Sequence, residues 1–204
     1  LQVISTLLAV LLLIAAPGCV FLSEDEADEA DEVQEEASLE ITLYFACPEA
    51  VHTGEPGEYG YVTPVAREVP HTDEVLRTAV QELIRGPEED ERAWCDECDE
   101  KQWEPCDECL EHRVSPVAPD SVEIRGINIE GGIASIDLCR ELFAAEDGVA
   151  GTLGGAIFVQ SMVWTATEFP TVDEVQVLVE GEYFDDGHMI WEEPRGRDDL
   201  TAGK

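Results

Sequence analysis

Basic side chains are scarce in this chain. Its 204 residues hold 11 Lys and Arg against 47 Asp and Glu, a formal net charge of −36, and lysine stands only at Lys101 and Lys204. A surface of that sign repels phosphate backbones and anionic headgroups, which excludes nucleic acid and polybasic membrane docking. The first eighteen residues carry no charge at all, so the deficit falls entirely on residues 19–204. Familiar catalytic patterns are missing too: there is no Gly-rich phosphate loop, no G-x-S-x-G elbow and no H-E-x-x-H pair. His52, His71, His112 and His188 are scattered through expected loops and turns, where they read as surface residues rather than ligands. The length allows one domain with a real core, plus tails.

The N-terminus sets the compartment. Leu1 to Ala16 is almost wholly apolar but shorter than the roughly 20 residues of a spanning helix, and it reads as the apolar region of a signal peptide, residues 1–18. Ala16-Pro17-Gly18-Cys19 resembles the lipobox of bacterial lipoproteins, which makes Cys19 the expected lipidation site. No basic segment precedes the apolar run and the chain opens on Leu, so its true start is expected upstream. Two acyl chains, at about 0.8 kcal/mol per buried CH₂, hold a protein at a membrane without a spanning helix. The expected location is therefore the outer face of the cell membrane, anchored by lipid.

Residues 19–38 form an acidic tether. Ten acids and no base lie between Glu24 and Glu40; such a run buries too little apolar surface to offset its ordering entropy, and its charges push it extended. Acids also run through the rest of the chain, as on a halophile's surface, where salt screens their repulsion to about 3 Å at 1 M. An ordinary acidic extracytoplasmic protein is the alternative.

The folded part is expected over residues 39–184. Leu39 to Ala46 alternates and is rich in β-branched and aromatic residues, and Tyr61 to Val69 reads as a second strand placed at an edge by Pro64. Thr72 is the expected cap of a helix carrying Val75, Leu76, Ala79, Val80, Leu83 and Ile84 at helical spacing and stopped by Gly86-Pro87. Ser121–Ile129 and Ile133–Leu138 flank Glu130-Gly131-Gly132, a hairpin signal. Thr152 to Glu168 reads as a largely buried helix and Val172 to Glu180 as the last strand. The order β-β-α-β-β-α-β predicts an α+β sandwich: a mostly antiparallel five-stranded sheet with two helices on one face, and a C-terminal tail at 185–204. Asp137, at a strand end, suits a turn or capping role.

A Cys-rich insertion, residues 88–113, interrupts this pattern. Cys95 and Cys98, and Cys106 and Cys109, form two C-x-x-C pairs separated by seven residues. Four thiolates so spaced can close a tetrahedral structural zinc site that folds an otherwise polar arm. In an oxidising compartment the same residues suit nested disulfides, Cys95 with Cys109 and Cys98 with Cys106. Thiol–disulfide exchange is a third chemistry. Cys47 and Cys139 each follow a core strand, and a disulfide joining them is expected.

Taken in order, several segments resemble the GerMN domain. They are Leu43-Tyr44-Phe45, Pro64 to Val69, Leu83 to Pro87, Gly132 to Leu138, Gln160, Trp164 to Pro170, and Val175 to Gly181. The resemblance covers about Leu39 to Gly181. It implies a fold similar to envelope ring-building modules, in a family whose namesake is a lipoprotein of sporulation and germination, and it carries no catalytic residues. The expected protein is an extracytoplasmic lipoprotein with a non-enzymatic module that binds an envelope protein or copies of itself. The alternative is a zinc-binding or thiol-redox lipoprotein acting through the Cys95–Cys109 arm.

Overall fold

A computed structural model describes residues 37–92, 113–143, 149, 151–185 and 187–201. Strand β1 (Ser38–Ala46) pairs antiparallel with β2 (Val62–Pro70), with a short helix α1 (Pro48–Thr53) between them. Helix α2 (Val75–Arg85) follows, then β3 (Ile124–Glu130), β4 (Ile133–Leu138), a 3₁₀ turn at Arg140–Phe143 and helix α3 (Thr152–Ala166). Strands β5 (Glu174–Val179), β6 (Glu182–Asp185) and β7 (Ile190–Trp191) and helix α4 (Arg197–Thr201) complete the chain.

The fold is α+β as expected, but the strands divide between two sheets. Beside the β1–β2 pair stands a five-stranded mixed sheet, ordered β3-β4-β5-β6-β7, in which only β4 and β5 run parallel. That parallel pair follows from its connection: α3 lies between the two strands in sequence, and a crossover of this length brings the chain back in the same direction. The hydrogen-bond phase of β1 explains why it does not join the larger sheet. The Ala37 carbonyl accepts the His71 N–H at 2.9 Å and the Cys47 N–H donates to the Tyr61 carbonyl at 2.8 Å, both on the β2 side. Odd-numbered residues of β1 therefore face β2, and even-numbered ones face away. The outward groups are taken otherwise. Ala46 exchanges both backbone bonds with Ser115, at 3.1 and 3.0 Å. The Tyr44 N–H donates to Thr165 Oγ1 at 3.1 Å, and the Ser161 hydroxyl donates to the Tyr44 carbonyl. Two hydroxyls of α3 stand where another strand would pair. The same phase accommodates Pro64 and Pro70, which lie opposite Tyr44 and Ser38, so that their missing N–H groups face away from the ladder.

Helix α3 is buried on most sides, through Gly155, Phe158, Val159, Ser161, Met162, Val163, Thr165 and Ala166, as a helix apolar all round must be. Helix α2 is amphipathic and buries Leu76, Ala79, Val80, Leu83 and Ile84. Its cap is Glu74, two residues after the expected Thr72: Thr72 Oγ1 accepts the Glu74 N–H at 3.1 Å, and the helix proper opens at Val75. The expected β3–β4 hairpin is present. Its two loop residues, Gly131 and Gly132, have φ of 59° and 86°, the primed-turn geometry that glycine adopts without steric cost. A Cβ on Gly132 would also lie 2.4 Å from Asp173 Oδ2.

The reading of 185–204 as a tail is corrected over its described residues, 185 and 187–201. Phe184 and Trp191 are fully buried, and Gln176 of β5 donates its side-chain amide to the Trp191 carbonyl at 2.7 Å. Val175 and Arg195 exchange both backbone bonds at 2.9 Å, closing the open side of β5. The burial of aromatic surface accounts for this return, since one tryptophan contributes 150–250 Å² or so of largely apolar area.

Candidate functional site

Cys19 and the four cysteines of the two C-x-x-C pairs lie outside the described residues, as does His112. The roots of the Cys-rich insertion are described. Glu91 and Val114 are joined by a 2.8 Å backbone bond, and the Arg113 guanidinium donates to the Arg92 carbonyl at 3.1 Å, so the two ends leave the domain side by side. The Cys47–Cys139 disulfide is corrected: both thiols are free. Cys47 ends the two-stranded sheet and caps α1, whereas Cys139 ends β4 in the other sheet, where its sulfur accepts the Glu123 N–H at 2.9 Å. Burial, and then the Glu141 carboxylate, hold the Cys139 thiol above its usual range. No helix among the described residues is long and apolar enough to cross a membrane, and no group of His, Cys, Asp and Glu among them could hold a metal ion.

The segments that resemble the GerMN domain come together at two places. At the first, Arg67 of β2 is 6% exposed and reaches the end of α2. Its guanidinium pairs with Glu82 at 3.1 Å and with Glu91, donates to the Gly86 carbonyl at 3.3 Å, and lies 5.4 Å from the centroid of the Phe45 ring. Glu91 also accepts the Glu88 N–H at 2.7 Å, so this one arginine fixes the turn that opens the Cys-rich insertion. Beside these roots lies a cleft of about 700 Å³, walled by Ala46, Val114, Val117, Val149 and Ile157 with Arg85 and Arg92 among its lining residues.

At the second place, Tyr44 of β1 meets the C-terminal half of α3. Its ring stacks on Trp164 at 5.5 Å, and Tyr59 closes edge-on against both, at 5.4 Å from Tyr44 and 5.1 Å from Trp164. Tyr59 sits in a tight turn between Gly57 and Gly60, whose backbones bond to each other. Gln160 holds that turn by accepting the Tyr61 N–H at 2.7 Å, and a Cβ on Gly60 would lie 2.4 Å from the same Gln160 oxygen. The Tyr44 hydroxyl donates to Glu168 at 2.8 Å. Burial first, then the hydrogen bond and charge of Glu168, push the Tyr44 pKa well above its ordinary value, so the phenol stays protonated and acts as a fixed donor. Arg197 of α4 completes the group. Its guanidinium lies 4.5 Å from the centroid of the Trp164 ring, pairs with Glu168 at 2.6 Å and donates to Thr167 Oγ1 at 2.7 Å. Aromatic faces beside a carboxylate form a seat for a cation.

Sequence reasoning found Tyr44, Gln160, Trp164 and Glu168 through the resemblance, but missed Tyr59 and Arg197. Tyr59 stood in a segment marked only as loop. Arg197 lay in the supposed tail, where Trp191 and Pro194-Arg195-Gly196-Arg197 were the available signal. Asp137 has the turn role expected of it: Oδ1 accepts the Gly181 N–H at 2.9 Å.

The two sheets and the buried crossover helix define an α+β domain. The family model Germane, described as "Sporulation and spore germination", matches residues 42–184, and the chain belongs to that family. The chain is similar to the first GerMN domain of the sporulation protein GerM from Bacillus subtilis, with a TM-score of 0.54, 19% identity, and coverage of 79% of this chain and 99% of that one. It is also similar to the tandem GerMN domains of the same protein, with a TM-score of 0.54, 18% identity and coverage of 83% of this chain. It spans about half the tandem structure, 49% of that chain. At these identities the likeness is one of fold. No curated protein matches the chain.

Proposed function

We infer that this chain is an extracytoplasmic lipoprotein, anchored through lipid on Cys19 at the outer face of the membrane, whose GerMN domain is a non-enzymatic module that binds an envelope protein or copies of itself. The observation that carries this reading is what the polar residues of the family-like segments do. Arg67 ties β2 to the end of α2, Gln160 holds the turn before Tyr61, Ser161 and Thr165 occupy the edge of β1, and Asp137 caps the turn at Gly181. Glu168 accepts from Tyr44 and Arg197. These groups hold one element to another, and the Tyr44 hydroxyl, kept protonated, serves as a donor rather than a base. A domain whose polar residues maintain its shape acts through its surface. The apolar N-terminal run, the lipobox-like Cys19 and the acidic tether support a surface held outside the cell, clear of the membrane.

The test is crosslinking in cells, extraction of the lipidated protein, and mass spectrometry of what accompanies it. Defined envelope proteins or ordered self-oligomers are the expected result. Recovery of the protein alone, with one zinc on Cys95, Cys98, Cys106 and Cys109, would instead make the Cys-rich insertion the active part and the domain its mount.

A further inference from the structure

Beyond Trp191, which is buried in the core, the C-terminal strap over residues 192–201 packs Leu200 against that core and carries one polar group that resembles a bound ligand. Between β7 and α4 the chain makes one pair of backbone bonds, Val175 with Arg195. Beyond that pair, Arg197 supplies a polar anchor: a guanidinium over the Trp164 ring, paired with Glu168, and donating to Thr167 Oγ1 and, at 3.4 Å, to the Trp164 carbonyl. The site is therefore built for a planar cation: a ring face on one side, a carboxylate at the fork, and the carbonyl end of α3, where the helix dipole favours positive charge. The seat is accessible. The Arg197 and Glu168 side chains are 37% and 33% exposed, and Tyr59 reaches the aromatic group from a loop. The rest of the molecule selects the partner's charge, since a net charge of −36 draws in a basic segment and repels an acidic one.

We propose that Trp164 and Glu168 form a guanidinium seat, filled by Arg197 in the free chain and by an arginine on a basic segment of a partner protein when the strap lets go. The strap is then a competitor held in place: its release opens the seat and frees the Val175 side of β5 in the same step. The proposal rests on the binding-module reading but is decided separately, with purified protein and a peptide, whatever in-cell capture returns.

The full chain, its R197A variant and the R197A/E168Q double variant are titrated with a hexa-arginine peptide and a hexalysine peptide at fixed salt. Hydrogen exchange of the Val175 and Arg195 amides is followed alongside. R197A, with its seat vacant, binds hexa-arginine about tenfold more tightly than the unaltered chain, and E168Q removes that gain, while hexalysine separates the three far less. Saturating hexa-arginine speeds exchange at Val175 and Arg195 in the unaltered chain. Equal hexa-arginine affinity for all three proteins leaves only general attraction to an acidic surface and overturns the proposal. If R197A does not fold, exchange in the unaltered chain decides: acceleration by hexa-arginine supports the seat, and unchanged exchange overturns it.

Discussion

Arg67→Met removes the guanidinium and keeps an apolar stem of similar length. The arginine is 5% exposed at its side chain, and its carboxylate partners Glu82 and Glu91 are 16% and 19% exposed. Removing one partner of a mostly buried ion pair costs about 3–5 kcal/mol, because the other charge is left uncompensated. Here the lower figure applies. Glu82 keeps Arg85 at 2.9 Å, and both carboxylates retain some contact with water. A loss of about 3 kcal/mol is a large part of a typical stability of about 5–15 kcal/mol, and lowers the melting temperature of a domain this size by roughly 6–12 °C. Urea unfolding followed by tryptophan fluorescence and circular dichroism measures it. Arg85→Met is the control: Arg85 is 62% exposed, so its removal costs less than about 1 kcal/mol. A cost below about 1 kcal/mol for Arg67→Met as well would refute the claim that this arginine locks β2 to α2 and to the root of the insertion.

Tyr44 gives the domain a dependence on alkaline pH. Its pKa is raised on folding, so its contribution is complete below the unfolded value near 10 and fades as pH climbs toward the higher folded value. Tyr44→Phe flattens that part of the stability–pH profile, measured by urea titrations from pH 8 upward. Trp191→Ala empties a fully buried site and costs about 3–5 kcal/mol, read as a lowered urea midpoint; a cost within the range of surface substitutions would restore the tail reading. The melting temperature of the full chain rises steeply between low and molar KCl, because salt screens repulsion among its carboxylates. A flat response in a calorimetric salt series counts against the halophile reading.

Local structure was legible where one signal dominated. The alternation in Leu39–Ala46, the helical spacing from Val75 to Ile84 and Gly131-Gly132 each named an element that is present. Sheet membership was not legible, because it turns on which hydrogen-bonding edge of β1 is free, and two hydroxyls on α3, distant in sequence, take that edge. Strand β6 was missed for a local reason. Its turn is Glu180-Gly181, with φ of 54° and 84°, and glutamate there lacks the signal of an Asn-Gly or Gly-Gly pair. Arg125 and Arg140 lie 3.9 and 3.6 Å from the Glu180 carboxylate, beside this backbone. The acidic composition around Trp191 disguised the C-terminal strap as solvated chain, although that tryptophan is in the core. The disulfide reading failed because following a core strand does not specify which sheet the strand joins.

The most direct test of the binding-module account is site-specific photocrosslinking in living cells. The photoreactive residue is placed in turn at the exposed apolar positions Val51, Ile129, Leu153, Tyr183 and Ile190. The account predicts a discrete adduct, to an envelope protein or a second copy of this chain, from at least one of these positions and none from buried Phe158. Absence of a discrete adduct from every exposed position, in cells where the protein is folded and lipidated, would contradict it.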